Sequence, residues 1–427
     1  MNDSNRKHMP HEPVKSDGRN VVGIDIGRKK HVAAGVRASG ELAGPRIAFT
    51  NDRPGIDRLE KMLLVPLGGP ENVLVAMEAT GHYWMPVASE LARHGYECAV
   101  INPIQTRAKF RTRIRKSKTD KIDAESIAHL ALGGEAHTAR IPDEPVFELR
   151  MLARHRWRLV GQIGDLARFG LTLVDRVFPE FAASLSNPLG PTGRAIIREI
   201  GLAPMAVAAA RERFVAIAKE ASRGKIDARL ANEIVNRASC SIGIRAGEQV
   251  LVEQLRGTID LMEAAEKQRD ALDAVLKQRV AELDSPLTDL GLSAPIVATI
   301  HGESDPVSDF PHAWQYAAFA GVEPSTFASG DYVRTSDTPI SKRGSPYLRH
   351  ALYLGALSVY RKHTFFKRCY ERHRSRGRHH TDALVIVTHK LARVTWRLLT
   401  DNRRFTARPP KHQPDAGASR SRRTKRG

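Results

Sequence analysis

The hydrophobic period of this chain changes once, near Glu148, and that change limits the folds open to it. Ahead of it lie short apolar runs broken by glycine, proline and charge, which is a strand pattern; beyond it apolar residues recur at helical spacing. VVGIDIG (Val21–Gly27) is followed, across the break GRKK, by HVAAGV (His31–Val36). A break of turn length between two such runs predicts adjacent paired strands. ENVLVAMEATG (Glu71–Gly81) and YECAVINP (Tyr96–Pro103) read as a third and fourth strand. Between them, HYWMPVASELARHG (His82–Gly95) has helical spacing and stops at a glycine, as helices commonly do.

Beyond Glu148, residues Leu149–Phe178 can form one long amphipathic helix that ends before Pro179. A second pattern runs Leu251, Leu255, Thr258, Met262, Ala265, Arg269, Leu272, Leu276 in steps of four and three, a heptad seam with two imperfect positions. Such a seam packs on another helix, either the first one or that of a second subunit, and an oligomer interface is the favoured expectation. The stretch from about Pro179 to Gly247 carries no readable motif. The expected organisation is a flexible lead-in at 1–18, an α/β domain at 19–148, a helical coiled-coil region at 149–285, a mainly α second domain at 286–400 and a basic disordered tail at 401–427. The tail holds nine Lys/Arg against two Asp, a density suited to non-specific phosphate contact.

Charge narrows the function. The 427 residues carry 67 Lys+Arg against 47 Asp+Glu, a formal net charge of +20 and a pI of about 10.1, which points to a polyanionic partner. With 41% hydrophobic residues the chain can bury cores. No stretch approaches the ~20 apolar residues of a membrane helix, and the first residues lack a signal-peptide core. Cys98, Cys240 and Cys369 lie far apart without CxxC spacing, which argues against a disulfide framework or zinc site and for a reducing, cytoplasmic setting.

Four carboxylates stand out. Asp25 lies inside an apolar run, where an ionised acid is costly unless paired; Glu78 ends another; Asp120 and Asp123 sit three apart at a helix start, on one face. Alone, each reads as a strand-end acid or a helix cap. Together they are what paired Mg²⁺ ions need to hold a phosphodiester, since hard cations choose oxygen ligands. Arg107, Lys109, Arg111, Arg113, Arg115, Lys116, Lys118 and Lys121 run directly ahead of and into the acidic pair, where they could hold a nucleic-acid backbone.

IDIGRKKHV, AMEATGHYW and INPIQTRAKFRTRIRKSKTDKIDAESIAHLA, in that order, resemble the DEDD transposase domain of the insertion-sequence family IS110, whose fold is RuvC-like (RNase H superfamily). The resemblance implies that Asp25, Glu78, Asp120 and Asp123 form a Mg²⁺-binding tetrad.

A second informative stretch runs Ala313–Ala356. In it Ser329 precedes Gly330 in a loop-like context, and ISKRGS offers Lys342 and Arg343 as phosphate clamps before a helix. From the residues alone Ser329 has no advantage over Ser325, Ser336, Ser341 or Ser345. The stretch is similar to the C-terminal transposase domain of the same family, in which a serine before glycine is the nucleophile, and that likeness selects Ser329. It implies attack on a DNA phosphate to give a phosphoserine link, with the metal-bound acids activating the serine. It further implies donor and target DNA as partners, a structured RNA from the element that bridges them, and a homo-oligomer, dimer or tetramer, working in the cytoplasm at the nucleoid. The family's second domain usually opens with a Gly-x-Gly turn; here Ser293 stands where the second glycine would fall. RKHTFFKRCYERHRSRGRHH (Arg361–His380) reads as a nucleic-acid-facing basic surface rather than a metal cluster. Two alternatives remain open: a RuvC-like hydrolytic nuclease that uses the acids without the serine, and a non-enzymatic nucleic-acid-binding protein. An ATPase would need a second glycine-rich phosphate loop and an adenosine pocket, and neither is found.

Overall fold

The computed structural model describes residues 16–78, 82–101, 120–134, 137–138, 144–324, 327–329, 332–334 and 339–406, and of these the side chains of 120–123, 137–138, 327–329 and 332–334 are not described. The expected lead-in and most of the expected tail lie outside these residues. The chain divides into two compact units, one taking the described residues of Met1–Phe147, Asp289–Leu292 and Glu303–Gly427, the other Glu148–Thr288 and Ser293–Gly302.

The first unit opens with a mixed six-stranded sheet in the order β3-β2-β1-β4-β5-β6. Its strands are β1 (Asn20–Asp25), β2 (Lys30–Val36), β3 (Leu42–Thr50), β4 (Val73–Glu78), β5 (Glu97–Ile101) and β6 (His137–Thr138). β1, β2 and β3 form an antiparallel meander, whereas β4 and β5 run parallel to β1. This is a mixed α/β layer, as the strand pattern of the sequence predicts. The strand β3 was not expected from the sequence: Gly44 and Pro45 interrupt its apolar run, and Pro is tolerated there because β3 is an edge strand.

Helices cover both faces of this sheet. On one lie α1 (Arg53–Leu59), running on into a π-helical turn (Glu60–Leu64), then the short α2 (Gly69–Asn72) and α3 (Trp84–Arg93). Ile56, Leu59, Leu63, Leu64, Val87 and Leu91 there pack on Val22, Ile24, Val75 and Met77. On the other lies α4 (Asp120–Leu132), whose Ile127, Ala128, Leu130 and Ala131 meet Val21, Leu74, Ala76 and Ala99. Alternate residues of β1 and β4 thus face opposite layers, the period-two consequence of strand geometry. Gly23 lets α4 approach: a Cβ there would lie 2.1 Å from the Ala124 carbonyl oxygen and 2.5 Å from the Ala128 nitrogen. Cys98 is buried in this domain, and burial pushes its thiol up to about 12, so it is chemically quiet.

The β1–β2 turn is held from inside. The Gly27 amide donates to Nδ1 of His31 (3.2 Å), a ring that is fully buried and packs against Phe49. Nδ1 therefore carries no proton, and the protonated Nε2 is buried without a hydrogen bond of acceptable geometry. Burial lowers the His31 pKa below 6.5, with the Asn51 side chain opposing.

The second unit is helical: α5 (Glu144–Val177), α6 (Pro179–Ser184), α7 (Pro191–Glu199), α8 (Pro204–Ala209), α9 (Arg211–Ala221), α10 (Ala228–Ser239), α11 (Glu248–Glu282) and α12 (Ala294–Ser304), the first and last crossing its borders. Glu148 pairs with Arg279 (3.1 Å), Arg156 with Asp273 (3.1 Å), and Gly170 faces Thr258. Each step forward along α5 is thus matched by a step back along α11, so the two helices run antiparallel in register. Leu255 and Met262 of the seam are buried in the core that α6–α10 build with them, and Thr258 and Leu276 are buried too. These four positions are filled from within the chain, the first of the two partners that the seam allows. Arg194 of α7 grips Glu266 of α11 in a two-pronged pair (2.6 and 2.8 Å), and Arg198 bridges Asp260 and Glu263 (2.6 and 2.7 Å).

The first unit closes with α13 (Ala313–Ala320), the short hairpin β7 (Phe327–Ser329) and β8 (Tyr332–Arg334), then α14 (Pro346–Lys362), α15 (Thr364–Arg374) and α16 (His380–Asp401). The three last helices pack together, and Trp396 donates to the Phe310 carbonyl (2.7 Å).

Two outcomes follow. Gly23→Ala is expected to destabilise the protein by ~3 kcal/mol through overpacking against the α4 backbone, while Gly161→Ala, whose Cβ would meet nothing within 4 Å on α5, gains ~0.5–1 kcal/mol; chemical denaturation measures both. Because His31 is held below its unfolded pKa of 6.5, its contribution to stability is complete above that pH and is lost as the pH falls below it. The melting temperature is expected to drop between pH 7.5 and 5.5, and His31→Gln to make that drop shallower.

Candidate active site at the acidic sheet edge

Parallel pairing sets Ile24 beside Met77, so the next residues, Asp25 and Glu78, end neighbouring strands at the same edge. Counting by twos from Val21 and Leu74, whose side chains lie under α4, places Asp25 and Glu78 on that same face. Both are half-buried. The backbones of neighbouring strands lie roughly 5 Å apart, near enough for acids that end them on one face to share a divalent cation. The donor chemistry, oxygen only, fits Mg²⁺.

The third contributor is α4. It starts at Asp120, and Asp123 directly precedes Ala124, the residue whose carbonyl lies against Gly23. Gly23 is itself two residues before Asp25. The backbone thus brings the first turns of α4 to the strand that carries Asp25, although the side chains of Asp120 and Asp123 lie outside the described residues. Among the described residues no three His, Cys, Asp or Glu side chains gather as a metal site. The expected basic run, from Arg107 to Lys118, also lies outside the described residues.

Ser329 is the last residue of β7 and pairs with Tyr332. It therefore ends a strand at the tip of a tight hairpin, rather than lying in a loop. The hairpin's base is anchored. Pro324 bridges Ile340, Ser341 donates from its amide to the Glu323 carbonyl (2.8 Å), and Ser345 does so to that of Phe319 (2.8 Å). Gly344 is needed there: its φ is +90°, and a Cβ would lie 1.9 Å from the Phe319 oxygen. Lys342 and Arg343 sit in this anchored segment with exposed side chains. Ser345 caps α14 through the Leu348 amide (3.2 Å) and donates to buried Glu303 (2.8 Å), a pair that sequence reasoning missed because its members are 42 residues apart.

Other charged places read differently. A groove of about 580 Å³ between α7 and α11 is lined by Arg194, Arg198, Lys267, Glu263, Glu266 and Asp270, and its cations are largely matched by its own acids. On α15 and the turn after it, Arg368, Arg372, Arg374 and Arg376 are exposed, with Glu371 as the acid among them. No described helix is long and apolar enough to cross a membrane.

Comparison with known proteins agrees with this layout. A family model described as a DEDD transposase of IS110 matches residues 22–179, and one described as a transposase of the IS116/IS110/IS902 family matches residues 290–371. An IS110 insertion-element protein of 43.6 kDa from Streptomyces coelicolor is 24% identical over 411 residues, covering 91% of this chain and 96% of that protein. An IS116 insertion-element protein of 44.8 kDa from Streptomyces clavuligerus is 24% identical over 420 residues, with the same coverage of 91% and 96%. A solved structure of T. thermophilus RuvC in complex with a Holliday junction substrate aligns with 28% of this chain and 99% of its own at 15% identity, with a TM-score of 0.21. With the acid-bearing sheet inside the first matched segment, the serine hairpin inside the second, and relatives spanning nearly the whole length, this chain belongs to the IS110/IS116 family of insertion-element transposases, and so is a DNA-transposing enzyme.

Proposed function

We propose that this transposase is a serine DNA recombinase. The observation that carries the reading is the placement of Asp25 and Glu78 side by side at one sheet edge, on the face against which α4 begins. Asp25, Glu78, Asp120 and Asp123 would hold Mg²⁺, which when bound supplies positive charge to stabilise a phosphate under attack. Ser329, on a hairpin whose base is pinned by backbone hydrogen bonds, is the nucleophile. Its Oγ bonds to phosphorus, the bond from phosphorus to one deoxyribose oxygen breaks, and the phosphoserine link keeps the ester for rejoining to a second strand. Lys342 and Arg343, together with the run from Arg107 to Lys118, hold the DNA backbone. Sequence choice falls to a bridging RNA from the element, which suits a protein whose basic surfaces offer backbone contacts. A homo-oligomer is part of the reading. It is supported by apolar side chains left exposed on the paired long helices, among them Trp157, Val160, Phe169 and Leu261. It would act in the cytoplasm, at the nucleoid.

Incubated with Mg²⁺, donor and target DNA and the transcript of the flanking non-coding region, the wild type is expected to form a covalent protein–DNA adduct visible on a denaturing gel. Ser329→Ala abolishes it, and Asp25→Asn or Asp123→Ala slows it by ~10³-fold or more, the equivalent of several kcal/mol of lost charge stabilisation. Cut DNA without an adduct, undiminished in Ser329→Ala, would overturn the serine mechanism in favour of a hydrolytic nuclease. Mg²⁺ is also expected to raise the melting temperature of the wild type, and Glu78→Gln to remove that rise, since only the native carboxylate set binds the ion.

A further inference from the structure

The turn that joins β1 to β2 presents Arg28, Lys29 and Lys30 in succession, all exposed. Among the described residues none of the three forms an ion pair or a side-chain hydrogen bond. Their position follows from the strand register. Asp25 pairs with Val32 in the antiparallel ladder, so Gly27 and Lys30 face each other two residues further along, and a Cβ on Gly27 would lie 2.3 Å from the Lys30 carbonyl oxygen. Partners across an antiparallel pair share a face. Val32, and two residues from it Lys30, therefore lie on the same face of the sheet as Asp25 and Glu78.

Three cations at the rim of an acid pair need a reason, because the turn would fold as well with polar residues there. The turn is instead fixed by His31, whose buried Nδ1 accepts the Gly27 amide. That bond holds the cationic turn in one place.

We propose that Arg28, Lys29 and Lys30 form a clamp for the phosphates of the DNA strand lying across the acidic edge, next to the phosphodiester under attack, with His31 as the positioning residue of that clamp. The proposal rests on the acidic edge being where DNA is processed. DNA is favoured over RNA as the occupant because the turn lies at the acidic edge and Lys30 shares the face of the acids proposed to act on it.

The test is fluorescence anisotropy in Mg²⁺ buffer over a range of salt, with a duplex bearing the element's end and, separately, the flanking transcript. The variants are the triple change Arg28→Ala, Lys29→Ala, Lys30→Ala and, as a charge-matched control in the second unit, Arg223→Ala, Lys225→Ala, Arg229→Ala. The triple variant is expected to bind duplex about 10-fold or more weakly near physiological salt and to lower the slope of log K against log salt by about two to three. The control and the transcript are expected to change less than about two-fold. Equal losses in both triple variants would reduce the effect to net charge and overturn the clamp, as would a loss confined to RNA or none at all. His31→Gln, with an unchanged far-ultraviolet spectrum, is expected to weaken duplex binding while keeping the wild-type salt slope, because the cations remain but are no longer held. If the anisotropy result holds while the adduct assay fails, the serine mechanism falls and the clamp stands.

Discussion

The site depends on one backbone contact, the approach of α4 to β1 at Gly23. A glycine inside a strand weakens it and leaves nothing to pack. Here that loss is offset by letting a helix backbone come to where a side chain would be, with Ala124 and Ala128 filling the space. Any larger residue would lift the helix, and with it the turn that carries Asp123, away from the strand that carries Asp25. The small residues on both sides of this contact are therefore tied to the geometry of the acidic edge as much as to core packing.

Charge of both signs is then delivered to the same edge by chain direction. β1 and β4 run parallel, so their carboxyl ends and the acids on them coincide. β2 returns antiparallel, so the turn between β1 and β2 lies at that edge as well and brings its cations there. Acids and cations gathered at one edge are what the proposed reaction on a phosphodiester requires, because its negative oxygens need neutralising on several sides during displacement.

The helical unit shows how far a pattern can be read. The heptad seam from Leu251 to Leu276 is plain in the sequence, and so is the long helix ahead of it. Their mutual partnership is not, because a seam looks the same whether its mate is in the same chain or another. Ion pairs decided it: Glu148 with Arg279 and Arg156 with Asp273 lie more than a hundred residues apart, and no local spacing foretells them. The helices α6–α10 leave no readable pattern, since short segments joined by turns give no sustained period, and they take their shape from the core they share with α5 and α11.

The sequence by itself determined the strand–acid pattern around Asp25 and Glu78, the helix start at Asp120, the later shift to helices and the strong positive charge. These are local: they arise from side-chain alternation, glycine and proline placement, and composition. The tertiary structure decided which strand ends meet, which face the acids share, that Ser329 closes a hairpin, and that His31 is turned inward to hold a cationic turn. Those are facts of register and burial. They depend on strand direction and on contacts between residues remote in the chain, and these become defined only when the core closes.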